Sequence, residues 1–554
     1  MKRSQSRPGI KWPLLVLPLV LGCSARTDNR SLDAYPLDRA SAEQAGLARF
    51  VLDDFGGLSL DTLETNAVPY KVVATVLLMD EVRRTGRPAE VTQVPELLRR
   101  YGFIYPERIA NWSGPWPQPH FERPLGMVSG EVRGALGLLR VDAVNVGCAT
   151  CHAGPTYDAQ GFPTREVWLG LPNTSIDLEA YLRDLYRALN GAMQDPDRFR
   201  EEAERFFPEM DRRERWTLRM LIPKVKRRLA ESARGVDALT PFSNGGPGRT
   251  NGVAALKLRL GLLDGSRVQA EFGFTSIPEL GSREMRSSLL YDGLYAPRGT
   301  DHFATLGQGA GTPRSPKDLA AVVTFFTVPT MGMEPDAAER AIPSVTEVMA
   351  WFRAHYAPPP FPGQVDRRRA ARGGALYGER CARCHGDYDD SLDHPRLLRF
   401  PNRPSPQEEI GTDPQRWKTA DPRLVQALAG TAYVRHVSSA PGGGYVAPLL
   451  SGLWATAPYL HNGSVPTLWQ LMNPELRPTR FQVGGHRLDF DQVGIAGSMD
   501  ADGVYQYAAD YRPWSVPETY DTTRPGQSNR GHEAEFRDLS PADKHALLEY
   551  LKGF

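Results

Sequence analysis

The 554-residue sequence has few cysteines and no marked excess of charge of either sign. The net charge is +1, so the composition gives no reason to expect nucleic acid as a partner. Glycine and proline together make up about 18% of the chain, which is below the range typical of disordered low-complexity proteins. Beyond the N-terminus, no apolar run approaches the roughly 20 residues that cross a bilayer. The length and composition predict a globular protein of two to four domains.

Four of the five cysteines belong to two copies of one motif. Residues 148–152 are C-A-T-C-H and residues 381–385 are C-A-R-C-H. In C-x-x-C-H the two thiols can form thioethers with one porphyrin, and the histidine binds its iron. We therefore predict two covalently bound haems. Their attachment residues and proximal ligands would be Cys148, Cys151 and His152, and Cys381, Cys384 and His385.

Two other kinds of site share part of this pattern. A redox dithiol also uses C-x-x-C, but it requires no adjacent histidine. A structural zinc site requires four ligands, so the two cysteine pairs would have to meet in space. The motifs leave Cys23 as the fifth cysteine, with no sixth as its disulfide partner.

The N-terminus has the pattern of an export signal. Basic residues precede an apolar segment at 12–21 that is too short to span a bilayer. It ends in V-L-G-C, which resembles a bacterial lipobox with Cys23 as the acylated residue; a signal with an incidental cysteine is the alternative. We predict a signal peptide at 1–22 and a lipid-anchored tether at 23–45. Because Ser24 rather than aspartate follows the cysteine, we expect a periplasmic lipoprotein of the outer membrane that contacts the membrane only through its anchor.

A proline-rich stretch marks the main division of the chain. Residues 358–363, P-P-P-F-P-G, cannot continue a helix and favour an extended connector. The two motif histidines lie about 230 residues apart, too far for one small cytochrome fold. We predict a mainly α protein with two cytochrome c-like haem domains, the first with a large insertion. They would occupy 46–357 and 364–554, joined by the linker at 358–363.

Each half has a predicted helix late in its sequence, beginning at Ser315 and at Ser540. In small c-type folds the segment before the last helix often crosses the distal haem face. In the second half this segment contains His532, which we predict to be the second axial ligand. In the first half the segment 304–309 contains neither histidine nor methionine, which predicts an open iron. His302, with Met285 upstream of it, is the alternative ligand there.

Three further runs resemble a known family. The run A-P-Y-L-H-N-G-S-V-P at 457–466, with the two C-x-x-C-H motifs, resembles the bacterial di-haem cytochrome c peroxidase superfamily. G-H-E at 531–533 and G-L-P-N at 170–173 are more similar to its rubber oxygenase branch. The resemblance implies a reactive N-terminal haem and a C-terminal haem that relays or stores electrons. It implies two histidine ligands on the relay haem, whereas peroxidases use a methionine, for which Met472 is the candidate.

The resemblance leaves other roles open. Peroxidases use a distal carboxylate, for which Glu271, Glu279 and Glu284 are candidates; each of them could instead be a solvated surface acid. His461 either bonds within the core or lies between the haems. We predict an oxidoreductase that activates peroxide or dioxygen at the first haem, in a pocket built by the insertion. An electron-transfer cytochrome without catalytic activity is the alternative, and an enzyme that oxidises side chains of a partner protein is the third interpretation.

Two basic segments complete the predictions. The approach to the second motif is rich in arginine and predicts docking of an acidic redox partner, although a solvated helix face explains it equally well. A second basic, amphipathic stretch at 212–229 is most simply a surface helix. The arginines of the first segment are Arg367, Arg368, Arg369, Arg372, Arg380 and Arg383.

Overall fold

The computed structural model describes residues 26–28, 30–57, 68–133, 140–232, 242–263, 271–331, 335–440 and 443–554. The predicted signal peptide and Cys23 lie outside these residues, and the predicted tether is described only in part. Within the described ranges, no helix combines the length and the apolar character that a membrane span requires.

Helices surround both motifs. Those predicted late in each half are present as Pro316–Thr327 and Pro541–Leu551, and both are capped by a serine side chain that accepts a backbone N–H of the first turn. The other described helices of eight or more residues are Ala42–Leu52, Tyr70–Thr85, Leu178–Ala192, Pro196–Phe206, Arg212–Ser232, Gly252–Arg259, Ile342–His355, Arg367–Arg380 and Pro422–Ala429. Shorter helices are Arg30–Asp33, Val94–Arg99, Cys148–Cys151, Pro335–Ala338, Ala382–His385, Gln407–Ile410, Gln415–Lys418, Leu468–Met472 and Glu533–Phe536.

The structure mixes helices and strands, which corrects the prediction of a mainly α fold. Two seven-residue strands, Met127–Arg133 and Arg140–Val146, pair antiparallel just before the first motif. Ala153–Tyr157 and Pro163–Leu169 form an antiparallel pair just after it. Most other strands have two to four residues, too few for an alternating pattern to be recognised in the sequence. They are Arg26–Asp28, Val68–Pro69, Arg108–Ile109, Arg249–Thr250, Thr275–Ser276, Tyr295–Pro297, Leu306–Gly307, Asp387–Tyr388, Leu397–Phe400, Pro404–Pro406, Val437–Ser439, Gly444–Val446, Arg480–Val483, Leu488–Asp489, Gly494–Ile495, Ser498–Met499, Val504–Gln506 and Glu518–Asp521.

The two halves of the chain share sheets. Tyr295–Pro297 pairs antiparallel with Val437–Ser439, and Leu306–Gly307 pairs with Leu397–Phe400. Both pairings join a strand before the proline-rich stretch to a strand after it. The division into two haem domains stays a prediction, and a boundary at 358–363 would separate strands that are hydrogen-bonded to each other.

The halves also share a core. Leu424 and Tyr433 of the second half are fully buried in the same apolar cluster as Phe325 and Trp351 of the first half. Burial of side chains of this size contributes about 1.5–3 kcal/mol each. The proline-rich stretch contacts the second half elsewhere, where the carbonyl of Pro359 accepts a hydrogen bond from the indole of Trp454 at 3.3 Å. The packing therefore brings the two motifs, distant in sequence, towards one interior.

Candidate functional site

The first motif is a single helical turn. The helix Cys148–Cys151 follows the strand Arg140–Val146, and the His152 amide donates to the Cys148 carbonyl at 3.0 Å. Burial raises the pKa of the thiols of Cys148 and Cys151 to about 12. A reactive redox dithiol has a lowered pKa, so this environment does not favour a thiolate nucleophile.

The ring of His152 is fixed by one backbone group. Its Nδ1 donates to the carbonyl oxygen of Pro278 at 3.0 Å, because a carbonyl can only accept. The proton therefore sits on Nδ1, and Nε2 carries the free lone pair. Burial lowers the pKa of the ring to about 4, which keeps it neutral. A neutral imidazole whose other nitrogen donates to a carbonyl is the usual form of a metal-binding histidine.

The G-L-P-N run at 170–173 holds the end of the first motif. The amide of Gly170 donates to the His152 carbonyl, and the amide of Asn173 donates to the Cys151 carbonyl, both at 2.8 Å. Gly170 has a φ of +98°, and a Cβ there would overlap the ring of Tyr356. The run therefore satisfies carbonyls that the short helix leaves unpaired.

The second motif repeats the construction of the first. The His385 amide donates to the Cys381 carbonyl at 2.9 Å, and the turn follows directly on the helix Arg367–Arg380. His385 Nδ1 donates to the carbonyl of Pro448 at 3.1 Å. Burial, and then the neighbouring His532, lower the pKa of His385 to about 4. Burial raises the pKa of the Cys381 thiol to about 12.

The structure brings His532 opposite His385. The centres of the two rings are 6.3 Å apart, with 38° between their planes. Imidazole nitrogens bind metal ions at about 2 Å, so two such bonds fit between these rings. His532 has a left-handed backbone with a φ of +63°, and burial lowers the pKa of its ring to about 4. Strained backbone of this kind is concentrated at functional sites.

One buried arginine holds the segment that carries His532. The guanidinium of Arg477 donates to the Gly531 carbonyl at 3.0 Å and to the Leu471 carbonyl at 2.7 Å. Gly531 has a φ of +121°, and its Cβ position would overlap Thr412. The segment therefore has little freedom to move away from the second motif.

The other predicted iron ligands lie elsewhere. Met472 is completely buried in an apolar core cluster and does not line the cavity at the motifs. Both ring nitrogens of His302 are hydrogen-bonded, to the Gly293 carbonyl at 3.2 Å and the Ser438 hydroxyl at 3.1 Å. Met285 packs in a separate small cluster with Phe400. The 304–309 segment, expected on the distal face of the first haem, pairs instead through Leu306–Gly307 with the strand Leu397–Phe400.

A single cavity of about 930 Å³ joins the two motifs. It is lined by all four motif cysteines and by His152, His385 and His532. Unsatisfied polar atoms face it: the Nε of Arg283 and the hydroxyl of Thr412 are buried with no hydrogen-bond partner among the described residues. Buried polar groups normally have partners, and the carboxylates of a haem would supply them. The residues present therefore fit covalently attached haem.

Much of the cavity wall near the first motif is apolar. It is formed by side chains from three helices, one of which, Leu178–Ala192, lies within the segment predicted to be an insertion. The structure adds two residues that the sequence analysis missed, Met127 and Met349, which also line the cavity. Met349 lies on the same apolar face of the helix Ile342–His355 as Val345 and Val348. Their spacing of three and four residues is a helical pattern in the sequence, and it could have identified Met349 as a residue of this face. The apolar wall residues named by helix are Leu178, Leu182 and Leu185; Leu319, Val323 and Phe326; and Val345, Val348 and Met349.

Of the three candidate carboxylates, Glu279 lines the cavity. Glu279 directly follows Pro278, whose carbonyl accepts the hydrogen bond from His152. It therefore lies on the His152 side of the first site. Burial raises the pKa of Glu279 to about 7, against the opposing effects of Arg283, Tyr356 and Ser451. Glu271 instead forms an ion pair with Lys257 at 2.9 Å, and Glu284 is not part of the cavity wall.

His461 also lines the cavity and lies in an aromatic stack. Its ring packs on Tyr445 with centres 4.3 Å apart, and it meets Tyr291 edge-on at 6.3 Å. The buried guanidinium of Arg249 fixes the residues after His461 by donating to the carbonyls of Asn462 and Gly463, each at 2.8 Å. The run at 457–466 therefore forms a tightly held turn beside the cavity.

The arginines near the second motif are mostly ion-paired. Arg367 pairs with Asp393, and Arg372 pairs with Asp543. Arg383 pairs with both Glu409 and Glu535, and Arg369 and Arg380 also lie within 4.0 Å of carboxylates. Arg368 is the exception, exposed and without an ion pair among the described residues. The segment therefore presents less free positive charge than its sequence indicates.

The alternative of a shared zinc site has no support in the geometry. Within the described ranges, no group of three or more His, Cys, Asp or Glu side chains is placed to hold a metal ion. The two cysteine pairs therefore do not meet in the way that a four-ligand site requires.

A family model described as RoxA-like, cytochrome c-like matches residues 444–482. The matched residues include Tyr445, His461 and the rest of the turn at 457–466. It supports the similarity to the rubber oxygenase-like cytochromes, while the similarity to the wider di-haem peroxidase superfamily rests on the sequence runs alone. The matched region is cytochrome c-like, which implies haem c and haem-based redox chemistry, either as an oxidoreductase or in electron transfer.

Two curated proteins of Sinorhizobium fredii are also similar to this chain. Both bear descriptions as uncharacterized proteins, y4iM and y4iJ. The first is 30% identical over 216 residues, covering 34% of this chain and 46% of the relative. The second is 30% identical over 261 residues, covering 35% of this chain and 41% of the relative. The chain thus spans less than half the length of the curated relatives it matches.

Proposed function

We propose that this chain is a di-haem c-type oxidoreductase with one haem attached at each motif. When bound, haem supplies an iron that can take up peroxide or dioxygen at the first site and a second iron that stores and relays an electron. The observation that carries the proposal is an asymmetry. Both proximal histidines are held in the same way, but among the described residues a second histidine, His532, faces His385 and none is found facing His152.

The first site is suited to chemistry rather than to electron storage. His152 is held neutral with Nε2 free, and the candidate ligands His302 and Met285 are engaged elsewhere. The apolar wall disfavours water next to the first site. Its apolar residues cannot themselves donate or accept protons, so any proton transfer depends on the few polar groups at its edge.

Glu279 is the best placed group to hold a proton at the first site. A pKa near 7 allows it to give up or take up a proton close to neutral pH. Arg283, beside it, is buried with an unpartnered Nε and can pair with an anionic group in the cavity. We assign Glu279 to holding a proton on the His152 side, in place of the distal role implied by the resemblance to peroxidases.

The second site is suited to relay. The two neutral histidines that face each other, His385 and His532, would hold a haem iron between them, and this haem would supply reversible one-electron storage. His532 is the second ligand in this proposal. Met472, the peroxidase-like alternative, is less suitable because its side chain belongs to the apolar core.

The location and partners follow from the sequence. The export signal and Cys23 support a periplasmic lipoprotein of the outer membrane. An external electron donor or acceptor protein would exchange electrons with the second haem, and peroxide or dioxygen would enter the cavity at the first.

Electron paramagnetic resonance of the purified, haem-loaded protein tests the proposal. We expect one high-spin and one low-spin ferric haem. The matched variant Met349→Leu keeps the volume of the cavity wall and should leave the high-spin signal unchanged. Two low-spin haems in the wild type would contradict the proposal and favour the second candidate, an electron-transfer cytochrome. The observation that favours this candidate is the thioether of Met349 in the cavity wall, and Met349→Leu would then convert one haem to high spin.

A further inference from the structure

The inner face of the helix Arg212–Ser232 is fully used in packing. Leu218 and Leu229 are buried in an apolar core cluster. Thr217 is completely buried; its hydroxyl donates to the Arg213 carbonyl at 2.8 Å and accepts from the Arg140 amide at 3.0 Å. These contacts fix the rotation of the helix, so the residues on its other face point outwards.

The outer face carries two large apolar side chains. Trp216 is 46% exposed and Met220 is 55% exposed. They lie four residues apart, one helical turn, and are therefore neighbours on the surface. Among the exposed large apolar residues of the described chain, no other two lie within one turn of a helix. A tryptophan in water is uncommon, because its ring loses considerable free energy by staying exposed.

Positive charge surrounds this apolar pair. Arg212, Arg219 and Lys226 are exposed on the same helix, and none forms an ion pair among the described residues. This is the reverse of the segment before the second motif, where carboxylates neutralise nearly every arginine. A tryptophan and a methionine within a basic rim are the composition of a helix that lies in a membrane interface.

We propose that this outer face, formed by Arg212, Trp216, Arg219, Met220 and Lys226, docks on an anionic phospholipid surface. The arginine and lysine side chains would contact headgroup phosphates while Trp216 and Met220 insert at the acyl boundary. A protein partner is less favoured, because two apolar side chains on one helix are few for an interface of about 1,000 Å². A fluid lipid surface needs no such matching shape. The docking depends neither on haem chemistry nor on acylation of Cys23.

Vesicle co-sedimentation tests the proposal. The haem-loaded chain with Cys23→Ser, which cannot be acylated, would be mixed with vesicles of phosphatidylcholine, with or without phosphatidylglycerol. We expect binding only to the anionic vesicles, weakening as salt is added because screening acts beyond about 8 Å at physiological ionic strength. Trp216→Ser with Met220→Ser should weaken binding by about tenfold or more. Arg212→Glu with Arg219→Glu should do the same.

Matched controls separate docking from general effects. Met499→Ser removes a methionine of similar exposure, 52%, from a different part of the surface. Arg368→Glu reverses an exposed, unpaired arginine on another helix. Neither should change vesicle binding, and the haem absorption spectrum should be the same in every variant. The proposal is wrong if the chain does not bind anionic vesicles, or if the helix variants and the controls bind equally well. An acidic protein would then become the better candidate for this face.

Discussion

The surroundings of the two C-x-x-C-H motifs are alike next to the motif histidine and different opposite it. At both, a C-x-x-C turn is followed by a histidine whose Nδ1 donates to a proline carbonyl, that of Pro278 at 3.0 Å for His152 and that of Pro448 at 3.1 Å for His385. Opposite His385 stands His532. Near His152 the cavity continues between apolar helices, with Glu279 and Arg283 at its edge.

The comparison indicates where a function of this kind is encoded. The shared side is set by five consecutive residues and one carbonyl, so it can be recognised from a short motif. The differing side is built from segments far away in the sequence, such as 342–355 and 531–533. A motif of this kind therefore predicts haem attachment, while in the proposed function the distant segments decide whether a second ligand faces the iron.

Removing the cysteines of one motif has the largest expected effect and tests whether the sites are independent. Cys148→Ala with Cys151→Ala should reduce the covalent load from two haems to one, because no thioether can form at that motif. Cys381→Ala with Cys384→Ala should do the same at the other motif. Intact-mass measurement of the mature protein counts the haems. Loss of both haems from either variant would show that the two sites do not load separately.

Opening the second site should make the two sites alike. His532→Ala removes the ring facing His385, so we expect a second high-spin haem and a shifted reduction potential, since axial ligands set the potential. Met472→Ala is the control, because Met472 is the alternative candidate for the ligand opposite His385. It should leave the haem spectrum unchanged while lowering the free energy of unfolding by about 2–5 kcal/mol, because it leaves a cavity in the core. A spectrum altered by Met472→Ala but not by His532→Ala would reverse the assignment.

The parts of the site that could be predicted from the sequence are those fixed by local chemistry. The motif turns and the helices capped by Ser315 and Ser540 depend on adjacent residues, and the structure has them. The position of His532 followed from its place before the last helix. The 304–309 segment was predicted by the same rule and lies elsewhere, because strand pairing with 397–400 determines its course. Such pairing joins residues about 90 positions apart, and no local pattern records it.

The first site also differs from the second in having a buried carboxyl group, Glu279, with a raised pKa. Burial raises its pKa from an ordinary 4.5 to about 7, so the folded chain binds this proton more tightly than the unfolded chain does. Its contribution to stability is therefore complete below about pH 4.5 and is lost as pH rises through 7. Compared with Glu279→Gln, the wild type should lose up to about 3 kcal/mol between pH 5 and pH 8.

Urea unfolding of the haem-loaded proteins at the two pH values measures this difference. Glu535→Gln is the matched change at the second site, where the carboxylate pairs with Arg383 at 3.3 Å. Because Glu535→Gln removes an ion pair, it should not raise the free energy of unfolding at pH 8. Equal pH dependence in the wild type and Glu279→Gln would show that Glu279 does not take up a proton in this range.

The smallest expected effect concerns the arginines before the second motif. Their sequence predicts a basic surface that steers an acidic redox partner, but carboxylates such as Asp393, Asp543 and Glu409 already neutralise most of them. Reversing a paired arginine breaks a local ion pair, whereas reversing Arg368 removes free charge. Because a single exposed charge is strongly screened beyond about 8 Å, Arg368→Glu should slow electron exchange by less than about threefold at physiological salt. Stopped-flow kinetics at low and high salt measures this rate with an acidic donor protein. A fall of tenfold or more that disappears in high salt would mean that the partner approaches the second haem over Arg368 itself, and that one unpaired charge is sufficient to steer it.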